Sequence, residues 1–290
     1  MIYLALSVFS SVTIFVIFKL FSRYQINTLH AIVVNYIVAC ISGIVAYENS
    51  INYTEIHSYD WFFFTLGLGA LFIIVFNLMA ITTQRSGLSV VSVATKMSVV
   101  IPIIFGLVYY KESFGVYKII GVLLALIAVY LASVKSRDGI SVSAKGFIFP
   151  LLVFIGSGII DTSIKFLENS FVAENDVPIF SATIFGSAAI IGLTVLGYKA
   201  VQGNFTFQFK NVLGGIALGI PNYFSIFFLV KALRSDLLDS SGIFTVNNVA
   251  VVMISTLFGI ILFKESLSAK NWIGILLAII SIFLVTLSGF

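Results

Sequence analysis

Apolar residues follow one another along this chain in long unbroken blocks, separated by short polar stretches. Ten blocks stand out, at about 2–21, 29–47, 61–83, 87–110, 116–134, 146–168, 177–199, 211–233, 240–263 and 270–289. Each is close to the roughly 20 apolar residues that carry an α-helix across a bilayer. Polar pieces such as Glu48 to Asp60, Lys135 to Lys145 and Gln202 to Lys210 separate them. The ~10-residue alternating segments of a membrane β-barrel are not seen, so helices are the expected way to satisfy the backbone in lipid. The expectation is an all-α membrane protein with ten transmembrane helices. Trp61 and Trp272 open the third and tenth blocks, where indole rings favour the membrane–water interface.

The second half of the chain repeats the first. A shift of 153 positions sets Phe105–Ser133 on Phe258–Thr286 with 12 identities in 29 positions. Shared apolar composition can account for the leucines and isoleucines. It does not account for FGLVYYKES answered by FGIILFKES, with a glycine eight residues after each serine (Gly121 and Gly274). The repeat divides the chain into 1–138 and 139–290. Each part holds five spans, an odd number, so the second must enter the membrane from the opposite side. Inverted repeats of this kind recur in secondary transporters, with the solute site near the midplane.

Composition agrees with the pattern. Of 290 residues, 60% are hydrophobic and only 10% charged, against about a quarter charged in soluble domains. A soluble fold and a nucleic-acid-binding surface are excluded. The first block lacks the basic start and small-residue cleavage site of a removable signal peptide. Cys40 is the single cysteine, and His30 and His57 are the only histidines. No multi-cysteine metal site, histidine-based triad, Walker-type loop or cofactor is therefore expected.

The net charge of +4 is the sum of two unlike faces. Lys19, Arg23, Arg85, Lys135, Arg137, Lys145, Lys199, Lys210, Lys264 and Lys270 fall on one. Only Lys111, Lys118, Lys165, Lys231 and Arg234 fall on the other, with most of the acids. Lysine and arginine favour cytoplasmic loops, and the ten-to-five bias places both termini outside.

Charges within the bilayer usually face a protein interior or a wet cavity. Lys96 lies about 14 Å into the fourth span at 1.5 Å per residue. With Arg85, Ser89 and Ser92 it forms a polar stripe, and the ninth span carries Ser241, Thr245, Asn247, Asn248 and Ser255. Two facing stripes would suit a solute cavity; hydroxyls bonded to their own backbone and amides acting as helix glue are the alternatives. Asp161 lies about 10 Å inside the sixth span. It fits a coupling site, an ion pair with Lys165 one turn on, or a longer-range pair with Lys96. Asn222 and Tyr223, beside Pro221 in the eighth span, and Asn77 in the third complete the candidates.

The Gly–six–Glu spacing (Gly106 to Glu112, Gly259 to Glu265), followed by GxxLA from Gly121 and from Gly274, resembles the drug/metabolite transporter superfamily, EamA type. The resemblance runs over nearly the whole chain. The family's usual Gly-Glu stands here as Lys111-Glu112 and Lys264-Glu265, and Pro102 lies a few residues beyond the family's usual proline position in the fourth span. The resemblance implies a multi-pass protein of the plasma membrane, the bacterial inner membrane, with both termini cytoplasmic, against the charge count. It implies movement, chiefly export, of an amino acid or related metabolite. A phosphorylated or nucleotide-linked sugar is the second reading and a membrane-embedded enzyme a remote third. The expected partners are a small-molecule solute and the bilayer, with no nucleic acid; a homodimer is left open.

Overall fold

A computed structural model describes residues 2–47, 56–109, 116–133, 144–173, 176–233 and 240–287. Glu112 lies outside the described residues. The described residues are predominantly helical, with no strand among them. The helices are α1 (Ile2–Arg23), α2 (Thr28–Ala46), α3 (Phe62–Ser86), α4 (Leu88–Met97), α5 (Val100–Tyr109), α6 (Val116–Ser133), α7 (Ala144–Phe171), α8 (Val177–Val201), α9 (Phe209–Leu233), α10 (Ser240–Phe263) and α11 (Ala269–Leu287). Eight helical segments among the described residues are long and apolar enough to cross a membrane. Two shorter apolar helices, Ile119–Ala132 and Ala269–Leu284, stand at the fifth and tenth blocks.

The chain divides into two compact units, and each draws on both halves of the sequence. The first comprises Met1–Lys19, Leu78–Ile159 and Phe224–Phe290; the second, Leu20–Asn77 and Ile160–Tyr223.

In the first unit α6 packs along α11, and α4 against both α10 and α6. Lipid tails are as apolar as leucine, so close backbone approach does the work that water does elsewhere. Gly274 supplies it. A Cβ there would stand 2.5 Å from Ala132 N and 3.0 Å from Ala128 O. Ser281 donates to the Gly121 carbonyl at 2.7 Å across the same seam, and Asn271 Nδ2 donates to Ala132 O at 2.8 Å. The buried core includes Val93, Met97, Val129, Phe154, Val252 and Ile275.

In the second unit α2 packs on α8. Gly215 and Gly219 of α9 sit so close to α2 that added Cβ atoms would meet Val34 at 2.4 Å and Val38 at 2.7 Å. Tyr36 donates to Phe72 O at 2.7 Å and stacks on Phe185. Trp61, at the start of the third block, packs inward. It is wholly buried, stacked on Tyr59 at 4.9 Å and edge-on to Phe180 at 5.5 Å, because the turn before α3 aims it at α8. Trp272 is half exposed.

Candidate functional site

The fourth span is not one helix. Residues 87–110 read as a continuous apolar run, yet α4 ends at Met97 and α5 begins at Val100. Pro102 explains the break: it has no N–H to donate to the Ser98 carbonyl four residues back, and its ring crowds that carbonyl. The chain turns instead through a tighter bond, Ile101 N–H to Ser98 O at 2.9 Å.

Lys96 occupies the last turn of α4, half-buried, where the negative end of the helix dipole favours a cation. Ser89 and Ser92 are buried on the same helix. Ser92 returns its hydroxyl to Ser89 O at 3.0 Å. Among the described residues the buried hydroxyls of Ser89 and Thr95 have no hydrogen-bond partner. Buried polar atoms are rarely left so. Thr95 and the helix break were missed in the sequence; Pro102 was the available signal for the break.

α10 packs on α4, so Asn247 and Asn248 share the first unit with Lys96 and Ser92. Asn247 is buried, and Ser7 Oγ donates to its Oδ1 at 3.3 Å and to Ser225 O at 2.8 Å. Asn248 is half-buried.

The second unit holds Asn77, Asp161, Lys165, Asn222 and Tyr223. Asn222 donates to Asn35 Oδ1 at 3.0 Å, both side chains being buried. Asn77 returns its amide to Ile73 O at 2.7 Å. Tyr223 is half-buried, whereas Asp161 and Lys165 are exposed one turn apart on α7.

The repeat motif has a local geometry of its own. Gly106 and Gly259 are buried. Lys264 ends α10 with φ of 53°, and Glu265 N–H then donates to Gly259 O at 3.0 Å. This folds the glutamate back over the glycine, which accounts for their spacing. A Cβ on Gly259 would lie 2.5 Å from the Glu265 carboxylate.

The sequence profile of the EamA-like transporter family matches residues 1–134. An uncharacterized protein of Haemophilus influenzae is 31% identical over 288 residues, covering 97% of this chain and 96% of that protein. The chain belongs to the EamA-like family. A solved crystal structure shares the fold at 12% identity, with a TM-score of 0.57 over 97% of this chain and 96% of that one. The EamA-like membership makes this a multi-pass membrane transporter of the drug/metabolite transporter superfamily, with the bilayer as its solvent and a small molecule as its cargo. Among the described residues of this EamA-like chain, no cluster of three metal-ligating side chains occurs.

Proposed function

We propose that the protein is a secondary transporter of the bacterial inner membrane. It moves a small polar or amphipathic metabolite with an anionic group, an amino acid or a related compound, outward by alternating access. The observation that carries this reading is the break at Ser98–Val99, with Lys96 in the turn before it and the hydroxyls of Ser89 and Thr95 unpartnered among the described residues. Discontinuous helices at mid-membrane depth are tolerated where they line a cavity, and the positive N-terminus of a half-helix, here α5, attracts anions. Lys96 adds a full charge, and Asn247 and Asn248 on α10 add directional donors. Within the second unit, Asp161 and Lys165 serve as the coupling or ion pair, and Asn77, Asn222 and Tyr223 are that unit's own candidate polar contacts.

What supports an inverted duplication is the pairing of neighbours: α2 with α8, α4 with α10, and α6 with α11. These are the second with the seventh span, the fourth with the ninth and the fifth with the tenth, as a two-fold related pair of repeats would pack.

The test is flux into proteoliposomes with a panel of amino acids, sugars and sugar phosphates, comparing wild type with Lys96→Ala. Saturable flux abolished by the substitution is the expected result. Unchanged saturable flux removes Lys96 from the site. A preference for sugar phosphates over amino acids selects the second reading, in which the same lysine meets a phosphate. Flux insensitive to a pH gradient in both wild type and Asp161→Asn removes the coupling role.

A further inference from the structure

At one end of the second unit, a half-open cavity of about 170 Å³ lies between α2, α8 and the segment leading into α9. Val33 and Ile37 of α2, Leu193 and Leu196 of α8, and Phe205 form its apolar wall. From His30 to Ile37 it runs about 10 Å along α2, at 1.5 Å per residue.

At one end of the cavity His30 and Asn211 are held in fixed orientations. Asn27 N–H donates to Asn211 Oδ1 at 2.8 Å, which fixes the amide. Asn211 Nδ2 then faces His30 Nδ1 at 3.3 Å. As donor, the amide requires the ring proton on Nε2. His30 is only 9% exposed, and its ring lies 4.9 Å from that of Phe205. Among the described residues Nε2 makes no hydrogen bond, and the His30 side chain as a whole lines the apolar cavity.

The rim is basic. Lys199 stands three positions beyond Leu196 on α8, and Lys210 immediately precedes Asn211; both are exposed, as is Arg23. Lys210 Nζ donates to Tyr24 O at 3.4 Å, which brings α9's start to the end of α1. The aspartates Asp60 and Asp176 belong to the opposite end of this unit, where Tyr47 donates to Asp176 at 3.2 Å.

We infer that this cavity holds an anionic phospholipid of the surrounding leaflet. One acyl chain lies along Val33, Ile37, Leu193 and Leu196. His30 Nε2–H donates to an oxygen of the glycerol ester or phosphate, and Lys199 and Lys210 hold the phosphate charge. The charge pattern selects this occupant: juxtamembrane lysines attract the anionic lipids of a leaflet, while the apolar wall offers nothing to a free anion.

Native mass spectrometry of the delipidated full chain, with phosphatidylglycerol or phosphatidylcholine added back, reads the site directly. One phosphatidylglycerol retained per chain is expected, with a preference of about tenfold or more over phosphatidylcholine. Lys199→Gln with Lys210→Gln should erase the preference, and Leu196→Trp should reduce retention of both lipids about tenfold by filling the wall. Equal retention of the two lipids by wild type overturns the inference. So does displacement by free glycerol phosphate, which identifies an anion site. Should Leu196→Trp fail to fold, carbene-labelled phosphatidylglycerol on wild type decides: labelling of Leu193, Leu196 and Phe205 supports the site, and labelling elsewhere overturns it.

Discussion

The carboxylate of Glu265, at the end of α10, caps the first helical residue of α4. Leu88 N–H donates to Glu265 Oε1 at 2.9 Å and to Oε2 at 3.2 Å. Lys19 Nζ, at the far end of α1, lies 3.6 Å from the same carboxylate and donates to Thr83 O at 3.2 Å. One acid from the sequence repeat therefore ties the ends of α1, α3, α4 and α10 together.

That cap makes a graded prediction. Glu265→Ala leaves the Leu88 N–H without its acceptor and should cost about 1–2 kcal/mol, while Glu265→Gln, which keeps an acceptor oxygen, should cost less. Thermal unfolding in detergent measures both. Equal losses would show that charge alone matters, and no loss would remove the cap from the account.

Gly87 permits the approach. Its φ of 105° is unfavourable for any L side chain, and a Cβ would lie 2.6 Å from the Glu265 carboxylate. Gly87→Ala should lower stability by at least about 1 kcal/mol. Gly67 and Gly197 lie inside helices with nothing within 4 Å of an added Cβ. Alanine there should raise stability by roughly 0.5 kcal/mol. The opposite signs are the check.

At the seam of α6 and α11 the neighbours of Gly274 are backbone atoms, which cannot rotate aside. Gly274→Ala should cost about 1–3 kcal/mol. Gly43→Ala, which meets the Ala182 methyl at 3.0 Å, should cost distinctly less. Similar losses at the two sites would mean that α6 and α11 can separate at little cost.

Asn35 and Asn222 form a buried amide pair, and each leucine substitution strands the other amide at about 1–3 kcal/mol. The double substitution should recover part of that loss. A double-mutant cycle should give a coupling of roughly 0.5–1.7 kcal/mol, the range found for hydrogen bonds between membrane helices. A coupling near zero, with transport lost in Asn222→Leu, would place Asn222 on the solute path instead of in the scaffold.

Pro102→Ala restores the donor that the fourth span lacks and should let α4 and α5 join. Flux through the reconstituted protein is expected to fall about tenfold or more while thermal stability holds or rises. Unchanged flux would show that transport does not need the break.

The apolar blocks by themselves determined the helices and the membrane, because a backbone in lipid has only its own hydrogen bonds to close. The lysine–glutamate motif and its spacing were equally legible, since identity across 153 positions is a one-dimensional signal. What no periodicity could state is which polar groups find each other. Nothing in the pattern pairs Asn222 with Asn35, 3.0 Å away, or Asn247 with Ser7. Those partners lie 187 and 240 residues apart. Glu265 reads as a motif residue until Leu88 is found beneath it. The tertiary structure decided these pairings, because a buried polar group bonds the nearest complementary atom, and helix packing alone supplies that atom.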